Sequence, residues 1–274
     1  SLYDRRKRGY PAGELFGAGE SVDGRRYPWG WQQPAFDDHA WGPASQVATA
    51  HPRGTRTDFA RWFLVEDTLP PMEEVTERFA AVPRSSQVDV PAAFVAGRAP
   101  VTVPAHTRAT LLLKMQNETT GYPELHVRGG RDARIELTYT EAMRKPVPGK
   151  NISSWPKGNR DEIEGKEAHG MGDAYVADGG ERRFQPLWWR VFRYVEVSIQ
   201  TADAPLTLLD ITNERSLYPF AERAKFESSD PRLAKIWEVG WRTARLSSHE
   251  FFTDGPYWEA LQYAGDMRVV ALST

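Results

Sequence analysis

Alternation of apolar and polar side chains between residues 100 and 213 constrains the fold more than any other feature of this sequence. In residues 133–140, Ala, Ile, Leu and Tyr alternate with Arg, Glu and Thr, which is the period of a strand that covers a core with one face. Further apolar runs stand at 111–113, 125–127, 193–199 and 206–208. Glycine turns separate the runs and no helical pattern intervenes, so the sequence predicts short strands in an antiparallel β-sandwich.

The period changes after residue 228. Asp230 and Pro231 are typical of a helix start, and one apolar stripe follows at helical spacing. The stripe consists of Leu233, Ile236, Trp237, Trp241 and Ala244. The sequence therefore predicts a helix that runs to about Ser247. Gly240 costs this helix about 1 kcal/mol relative to Ala, so it predicts close packing against a neighbour.

An acidic stretch follows the helix pattern. It contains three carboxylates, Asp254, Glu259 and Asp266, together with the aromatic rings of Tyr257 and Trp258. Glycosidic bond cleavage needs one carboxyl that protonates the leaving oxygen and another that activates water or attacks carbon, and aromatic rings suit the apolar faces of a pyranose. Crowded carboxylates also keep one of their number protonated near neutral pH. The composition is typical of a sugar-cleaving site, with Glu259 as the best candidate for the acid.

A structural interpretation of the same stretch is also open. Asp266 precedes the apolar run 267–272 and is typical of an N-cap, so we expect it to cap a helix there. This interpretation and the catalytic one are compatible. His249 is the histidine nearest to the acids, and we interpret it as a polar loop residue rather than a base.

The residues from Asp254 to Asp266 resemble the acidic signature of the bacterial α-L-rhamnosidases of glycoside hydrolase family 78, in the spacing of the acids and in the residues between them. The resemblance implies a sugar pocket in an (α/α)6 six-hairpin barrel. In that pocket Glu259 would be the general acid, Asp254 and Asp266 would hold rhamnose hydroxyls, and Tyr257 and Trp258 would contact the substrate. The implied reaction is cleavage of terminal α-L-rhamnose from plant glycosides or polysaccharides with inversion.

Other phrases carry the same resemblance. Residues 34–41 resemble a turn of the jelly-roll sugar-binding modules that precede many glycosidase domains, and residues 70–74 resemble a connector between sandwiches. Residues 119–123, 139–142 and 184–195 are similar to the family's sandwich domain. The resemblance thus covers nearly the whole chain.

The expected fold is mainly β, with antiparallel, jelly-roll-like β-sandwich modules followed by the first helices of the barrel. We expect a partial sugar-binding-like module in residues 1–60, a linker in 61–100, the β-sandwich in 101–215, and a linker helix with the truncated start of the barrel in 216–274. In the first module Trp29, Trp31 and Trp41 are expected to belong to the core.

A segment of mixed charge, residues 144–173, interrupts the strand pattern. Asp161, Glu164 and Glu167 would suit a metal ion, but the interleaved Lys157, Arg160 and Lys166 are expected to satisfy them as ion pairs. We therefore predict no metal site and no cofactor.

Composition limits the partners. The chain has 35 basic and 37 acidic residues, which gives no reason to expect a nucleic acid or an anionic membrane as partner. A rhamnose-containing oligosaccharide or glycoside is the expected ligand, and a homo-oligomer remains open. The absence of cysteine leaves the compartment undecided, and we favour a periplasmic or secreted bacterial protein over a cytoplasmic one.

The two ends of the sequence indicate a fragment. The chain begins without Met, and its apolar pattern at 269–274 has no stop signal. The family's general base is a Glu near the far end of the barrel, beyond residue 274, so we expect this chain alone to be inactive. Two alternatives stay open: a non-catalytic carbohydrate-binding protein with Trp29, Trp31 and Trp41 as its binding face, and another six-hairpin glycosidase.

Overall fold

The computed structural model describes residues 19–56 and 62–274. Residues 1–18 and 57–60 of the expected sugar-binding module, and residue 61 of the expected linker, lie outside the described residues. The chain divides into a small compact unit of residues 26–70 and a large unit that contains residues 19–25 and 71–274.

Within the described ranges the chain forms twelve strands, two α-helices and one turn of 3₁₀ helix. The strands are β1 (Ser21–Asp23), β2 (His51–Pro52), β3 (Phe63–Leu64), β4 (Glu73–Arg78), β5 (Ala81–Ser86), β6 (Val101–Val103), β7 (Arg108–Gly129), β8 (Arg134–Thr140), β9 (Gly172–Val176), β10 (Glu181–Phe184), β11 (Arg190–Gln200) and β12 (Leu206–Leu217). The helices are α1 (Pro231–Leu246) and α2 (Ala264–Ser273), and the 3₁₀ turn is Ile152–Ser154.

Strand β7 is the centre of the large sheet. Its first part, residues 108–114, pairs antiparallel with β11 on one side and with β5 on the other. Its last part, residues 121–129, pairs with β12, and on the opposite edge with β10. The sheet continues from β11 through β8 and β9 to β1, and from β12 to β4. The sheet therefore curls around β7 into two layers, and the expected mainly β, antiparallel architecture is confirmed.

The length of β7 differs from the expectation of short strands. The apolar runs 111–113 and 125–127 belong to one strand of 22 residues. The polar residues between the runs favour a turn, but the backbone continues through them. In the partner strand β11 the register shifts between Phe192 and Tyr194, so the irregularity is a bulge in the pairing rather than a turn.

Aromatic rings join the two layers. Tyr175 of β9 and Phe184 of β10 stack with ring centroids 5.4 Å apart. The alternation in β8 is observed as predicted, because Ile135, Leu137 and Tyr139 are buried while the residues between them are more exposed. The core thus lies between the faces that the sequence pattern marks as apolar.

A buried ion pair links four segments of the large unit. The guanidinium of Arg190 donates to both carboxylate oxygens of Asp173, at 2.7 Å and 2.9 Å, and both side chains are almost fully buried. The hydroxyl of Tyr139 and the backbone N–H of Glu20 also donate to Asp173. This network ties the start of β11 to β8, to β9 and to the residue that precedes β1.

Strands β4 and β5 lie in the stretch for which the sequence predicts a linker. Strand β4 pairs antiparallel with β12 at the edge of the sheet, and β5 pairs with β7. Their position after Pro70 and Pro71 agrees with the rule that proline keeps to the start or edge of a sheet. The expected domain boundaries themselves stay a prediction.

Helix α1 begins and ends where the sequence predicts. The Asp230 carboxylate caps it by accepting from the N–H of Arg232 at 2.9 Å. The prediction of close packing at Gly240 is wrong, because a side chain there would meet no atom within 4 Å. In the described part of the chain, neither α1 nor α2 is long and apolar enough to cross a lipid bilayer. A barrel built on these helices stays a prediction.

The C-terminal end of α1 is fastened to the sheet by charge. Glu73 of β4 accepts from Arg245 of the helix at 2.7 Å and from Arg215 of β12 at 2.6 Å. One carboxylate therefore bridges two guanidinium groups on different elements, which is stronger than an isolated surface pair.

The small unit consists mainly of turns. Its two strands, β2 and β3, are each two residues long and pair in parallel. The expectation that its tryptophans form a core is wrong for Trp31 and Trp41, whose side chains are 45% and 53% exposed. Trp29 is half-buried, and its ring centroid lies 4.7 Å from that of Tyr27. Turns such as the one between Asp38 and Trp41 provide no sheet face that would cover the rings.

The buried ion pair yields the first prediction. We expect Asp173→Asn to lower the free energy of unfolding by about 3–5 kcal/mol, because it leaves the buried guanidinium of Arg190 without its counter-charge. The matched control is Asp132→Asn, which removes an exposed ion pair with Arg25 and should cost less than about 1 kcal/mol. Urea unfolding of both variants measures the difference. Equal losses would contradict a special role for the buried pair.

Candidate functional site

The acidic stretch forms a loop between α1 and α2 that is held by its own backbone hydrogen bonds. The N–H of Asp254 donates to the carbonyl of Leu261 at 3.0 Å. Gly255 and Glu259 exchange two backbone hydrogen bonds of 3.2 Å, which closes a tight reversal with Tyr257 at its centre. The ends of the reversal bring the side chains of Asp254 and Glu259 together.

Tyr257 anchors this loop on the sheet. Its ring is buried against Trp189 and Val191 at the start of β11, and its hydroxyl donates to the carbonyl of Tyr139 at 2.8 Å. Gly170 lies against the same carbonyl and hydroxyl, so close that a Cβ atom there would collide with both. Glycine is therefore required at position 170 for the anchor to form.

Trp258 contacts a different set of residues. Its indole N–H donates to Glu141 at 2.9 Å, and the cationic groups of Arg144 and Lys157 lie 5.6 Å and 5.4 Å from its ring centroid. Lys157 also donates to Glu141. Burial alone would raise the pKa of Glu141, but hydrogen bonds from Lys157 and Trp258 outweigh it and lower the pKa. Glu141 is thus an ionised group that fixes the indole, while about two fifths of Trp258 stays exposed.

The three predicted acids meet at the surface of the loop, and all three are exposed. A hydrogen bond with Asp254, together with the negative charges of Asp254 and Asp266, raises the pKa of the Glu259 carboxyl. The structure therefore brings together the residues that the spacing selects. It also singles out Glu259 as the carboxyl that retains its proton to higher pH.

Asp266 and Tyr257 have structural roles that the sequence does not predict. Asp266 is not the cap of the second helix, because α2 begins at Ala264 after Tyr263, and Asp266 lies in its first turn. A carboxylate there still interacts favourably with the helix dipole. Tyr257 is buried with its hydroxyl occupied, so in this structure it positions the loop, and a contact with substrate stays a prediction.

His249 lies in the loop that follows α1, as its interpretation predicts, and the structure shows in addition that it is buried. Its imidazole stacks on the indole of Trp189 with centroids 4.2 Å apart and planes within 4°. Its Nε2 lies 3.2 Å from the hydroxyl of Thr120. Burial lowers the pKa of His249 to about 4, which makes the imidazole neutral at physiological pH.

In the long segment 144–173 the charged residues form ion pairs with other partners than the sequence predicts. Asp161 binds Lys114 at 3.1 Å and Arg193 at 2.5 Å, both on strands of the sheet. Lys157 and Arg160 instead bind Glu141. Sequence reasoning missed Glu141 and Lys157 as neighbours of the acidic loop. The signal that points to them is the length of the segment itself, which exceeds that of an ordinary connection.

Neither a protein-family model nor a curated protein matches the chain by sequence. Among solved structures, the chain is similar to an α-L-rhamnosidase from Dictyoglomus thermophilum, with a TM-score of 0.58 and 20% identity, over 93% of this chain and 24% of that chain. A rhamnosidase from Klebsiella oxytoca with rhamnose bound gives a TM-score of 0.56 and 16% identity, over 74% of this chain and 40% of that chain. A GH78 family rhamnosidase from Bacillus sp. GL1 gives a TM-score of 0.53 and 24% identity, over 67% of this chain and 18% of that chain.

These likenesses confirm, at the level of the fold, the resemblance to family 78 rhamnosidases that the acidic signature predicts. The identities are low, so the likeness concerns the fold. The chain spans between 18% and 40% of the length of these three structures.

The buried histidine yields a prediction about pH. In the unfolded chain His249 takes up a proton near pH 6.5, whereas in the folded chain it does so only near pH 4. Between these values the unfolded state binds more protons, so the free energy of unfolding should fall as the pH falls through this window, by up to about 3 kcal/mol.

Urea unfolding at several pH values measures this dependence, with His249→Phe as the test variant because phenylalanine keeps the ring stack and does not titrate. The variant should lose this part of the slope between pH 6.5 and pH 4. As a control, His106→Asn removes an exposed histidine and should leave the slope unchanged. An unaltered slope in His249→Phe would contradict the assignment.

Proposed function

We propose that this chain is part of a glycoside hydrolase, an α-L-rhamnosidase of family 78. The proposed reaction releases terminal α-L-rhamnose from plant glycosides or polysaccharides with inversion. The observation that carries the proposal is that Asp254 and Glu259 on the anchored loop meet Asp266 in the first turn of α2, at the spacing of the family's acidic signature. The fold likeness to three rhamnosidases, one of them with rhamnose bound, supports it.

Glu259 is the proposed general acid. A general acid must carry its proton at the working pH, and the neighbouring carboxylates raise the pKa of Glu259 in that direction. Asp254 and Asp266 have acceptor oxygens for the hydroxyls of a bound rhamnose. The exposed part of Trp258, held by Glu141, offers a flat face for a pyranose beside the acid.

The general base of an inverting reaction needs a different carboxylate. Acid and base in inverting glycosidases stand about 6.5–9.5 Å apart, so that a water molecule fits between them with the sugar. Asp254 forms a hydrogen bond with Glu259, which leaves no room for that water. We therefore propose that the base lies outside the cluster, in agreement with the family's position for it beyond residue 274, and that residues 1–274 alone do not turn over substrate.

Glu259→Gln is the direct test. In the product of the complete gene, the variant should release nitrophenol from an aryl α-L-rhamnoside at least about 100-fold more slowly than the wild type, because a general acid contributes roughly that factor or more. The matched control is Glu250→Gln, an exposed glutamate of the same loop that is outside the acidic cluster. The 274-residue chain should be inactive. Activity that is indifferent to Glu259 would refute the proposal.

The pH profile gives a second test of the same site. Rhamnoside cleavage should decline as the pH rises through the pKa of Glu259, because the deprotonated acid cannot donate. Asp254→Asn removes the neighbour that raises this pKa, so the alkaline limb of the profile should move to lower pH. A limb that stays in place would exclude Asp254 as the cause of the raised pKa.

A second function is favoured by a separate observation. Trp31 and Trp41 of the small unit are largely exposed, as the rings of a carbohydrate-binding face are. If the chain is a non-catalytic carbohydrate-binding protein, sugar binding will be lost on replacement of these tryptophans by alanine and will be unchanged in Glu259→Gln.

A further inference from the structure

A groove between the sheet and helix α1 has no role in the proposed reaction. It encloses a cavity of about 450 Å³, within the range of roughly 300–1,000 Å³ that is usual for small-molecule sites. It is lined by β4, the middle of β7, β12 and the C-terminal half of α1. None of the acids Asp254, Glu259 and Asp266 belongs to this lining.

The lining combines an aromatic ring with apolar side chains and hydrogen-bonding groups. Trp241 of α1 supplies the ring, and Met115, Leu217 and Leu246 supply apolar surface. This combination of a flat apolar face with convergent polar groups suits a pyranose, whose C–H face is apolar and whose edge carries hydroxyls.

Three consecutive polar residues of β7 make no side-chain hydrogen bond to the described residues, although Glu118 lies near the charges of Glu141 and Arg160. In the part of the chain that the structure describes, no hydrogen bond joins the side chains of Gln116, Asn117 or Glu118 to another residue. They belong to the bulge of β7 itself, because Lys114 and Thr119 pair with Tyr194 and Phe192 of β11 and the residues between them have no paired neighbour there. The side-chain amides of Gln116 and Asn117 are therefore free to donate to and accept from a ligand.

Most charged residues of the lining are neutralised in ion pairs, in part by the carboxylates of Asp210 and Glu73 outside the lining. Arg78 donates to both oxygens of Asp210, at 3.0 Å and 2.8 Å. Glu77 lies 3.5 Å from Arg215, and Arg245 binds Glu73. Among the described residues, the lining side chains without an ion pair are Glu118 and Arg242, which carry opposite charges. The groove thus offers no excess charge to an ionic ligand, and it favours a neutral one.

We propose that this groove is a second carbohydrate-binding site, which holds one neutral pyranose unit against Trp241 with hydrogen bonds from Gln116 and Asn117. The site binds and does not cleave, because it lacks the acidic cluster. It does not depend on the reaction at Glu259, so it stands or falls separately from the proposed function.

Ligand-observed NMR titration of the 274-residue chain tests the proposal. The probes are methyl α-L-rhamnopyranoside, methyl β-D-glucopyranoside and methyl β-D-galactopyranoside, with a methyl glucuronide as the charged counterpart. We expect saturable binding of at least one neutral probe. The double variant Gln116→Ala/Asn117→Ala should weaken that binding at least about fivefold, because it removes two hydrogen bonds to the sugar.

Two further variants separate the groove from the acidic loop and from folding. Trp241→Ala should also weaken binding at least about tenfold, since it removes the stacking face. Trp241 also contacts Phe220, so its loss could unfold α1, and circular dichroism checks that the helix persists. If the helix is lost in this variant, the test rests on the double variant of Gln116 and Asn117, which are exposed. Glu250→Gln, at an exposed residue outside the lining, should leave the affinity unchanged.

Three outcomes would overturn the proposal: no saturable binding of any neutral probe, binding of the glucuronide alone, or binding that the groove variants leave intact. In the last case, loss of binding in Glu259→Gln would assign the sugar to the acidic loop and would leave the proposed function standing.

Discussion

The pairing of β7 on both of its edges is the constraint on which the rest of the large unit depends. Because one strand passes through both layers, the positions of β5, β10, β11 and β12 are fixed relative to one another by backbone hydrogen bonds. The pairing with β11 is interrupted by a bulge in β7, and there Gln116, Asn117 and Glu118 have no partner in β11. The same strand thus holds the sandwich together and opens the groove beside α1.

The acidic loop receives its rigidity from two adjacent aromatic residues. The hydroxyl of Tyr257 is bound by the sheet, and the indole N–H of Trp258 is bound by Glu141, which Lys157 in turn neutralises. Glu259 follows immediately in the chain, so its backbone has little freedom although its side chain is exposed. An exposed carboxyl on a fixed backbone can meet a substrate with small loss of conformational entropy.

Local patterns were enough to predict much of the fold. The alternation in residues 133–140 gave strand β8, and the Asp230 cap with its apolar stripe gave α1. The spacing of the acids predicted that Asp254, Glu259 and Asp266 belong together. Patterns failed where distant contacts decide. The polar middle of β7 favours a turn, but pairing with β11 on both sides of it makes it a bulge, and His249 is buried because Trp189 covers it. The partners of Asp161 and the role of Glu141 depend on a chain reversal that no local signal encodes.

Helix α1 is attached to the large unit unevenly. Leu246 at its last turn is buried and Arg245 is held by Glu73, whereas Ile236 and Val239 are 65% and 50% exposed. Amide protons near Pro231 should therefore exchange with solvent through local fraying, while those of the last turn open only with the sheet. The end of α1 that lines the groove is therefore also the end that is held most firmly, so the groove keeps its shape when the start of the helix frays.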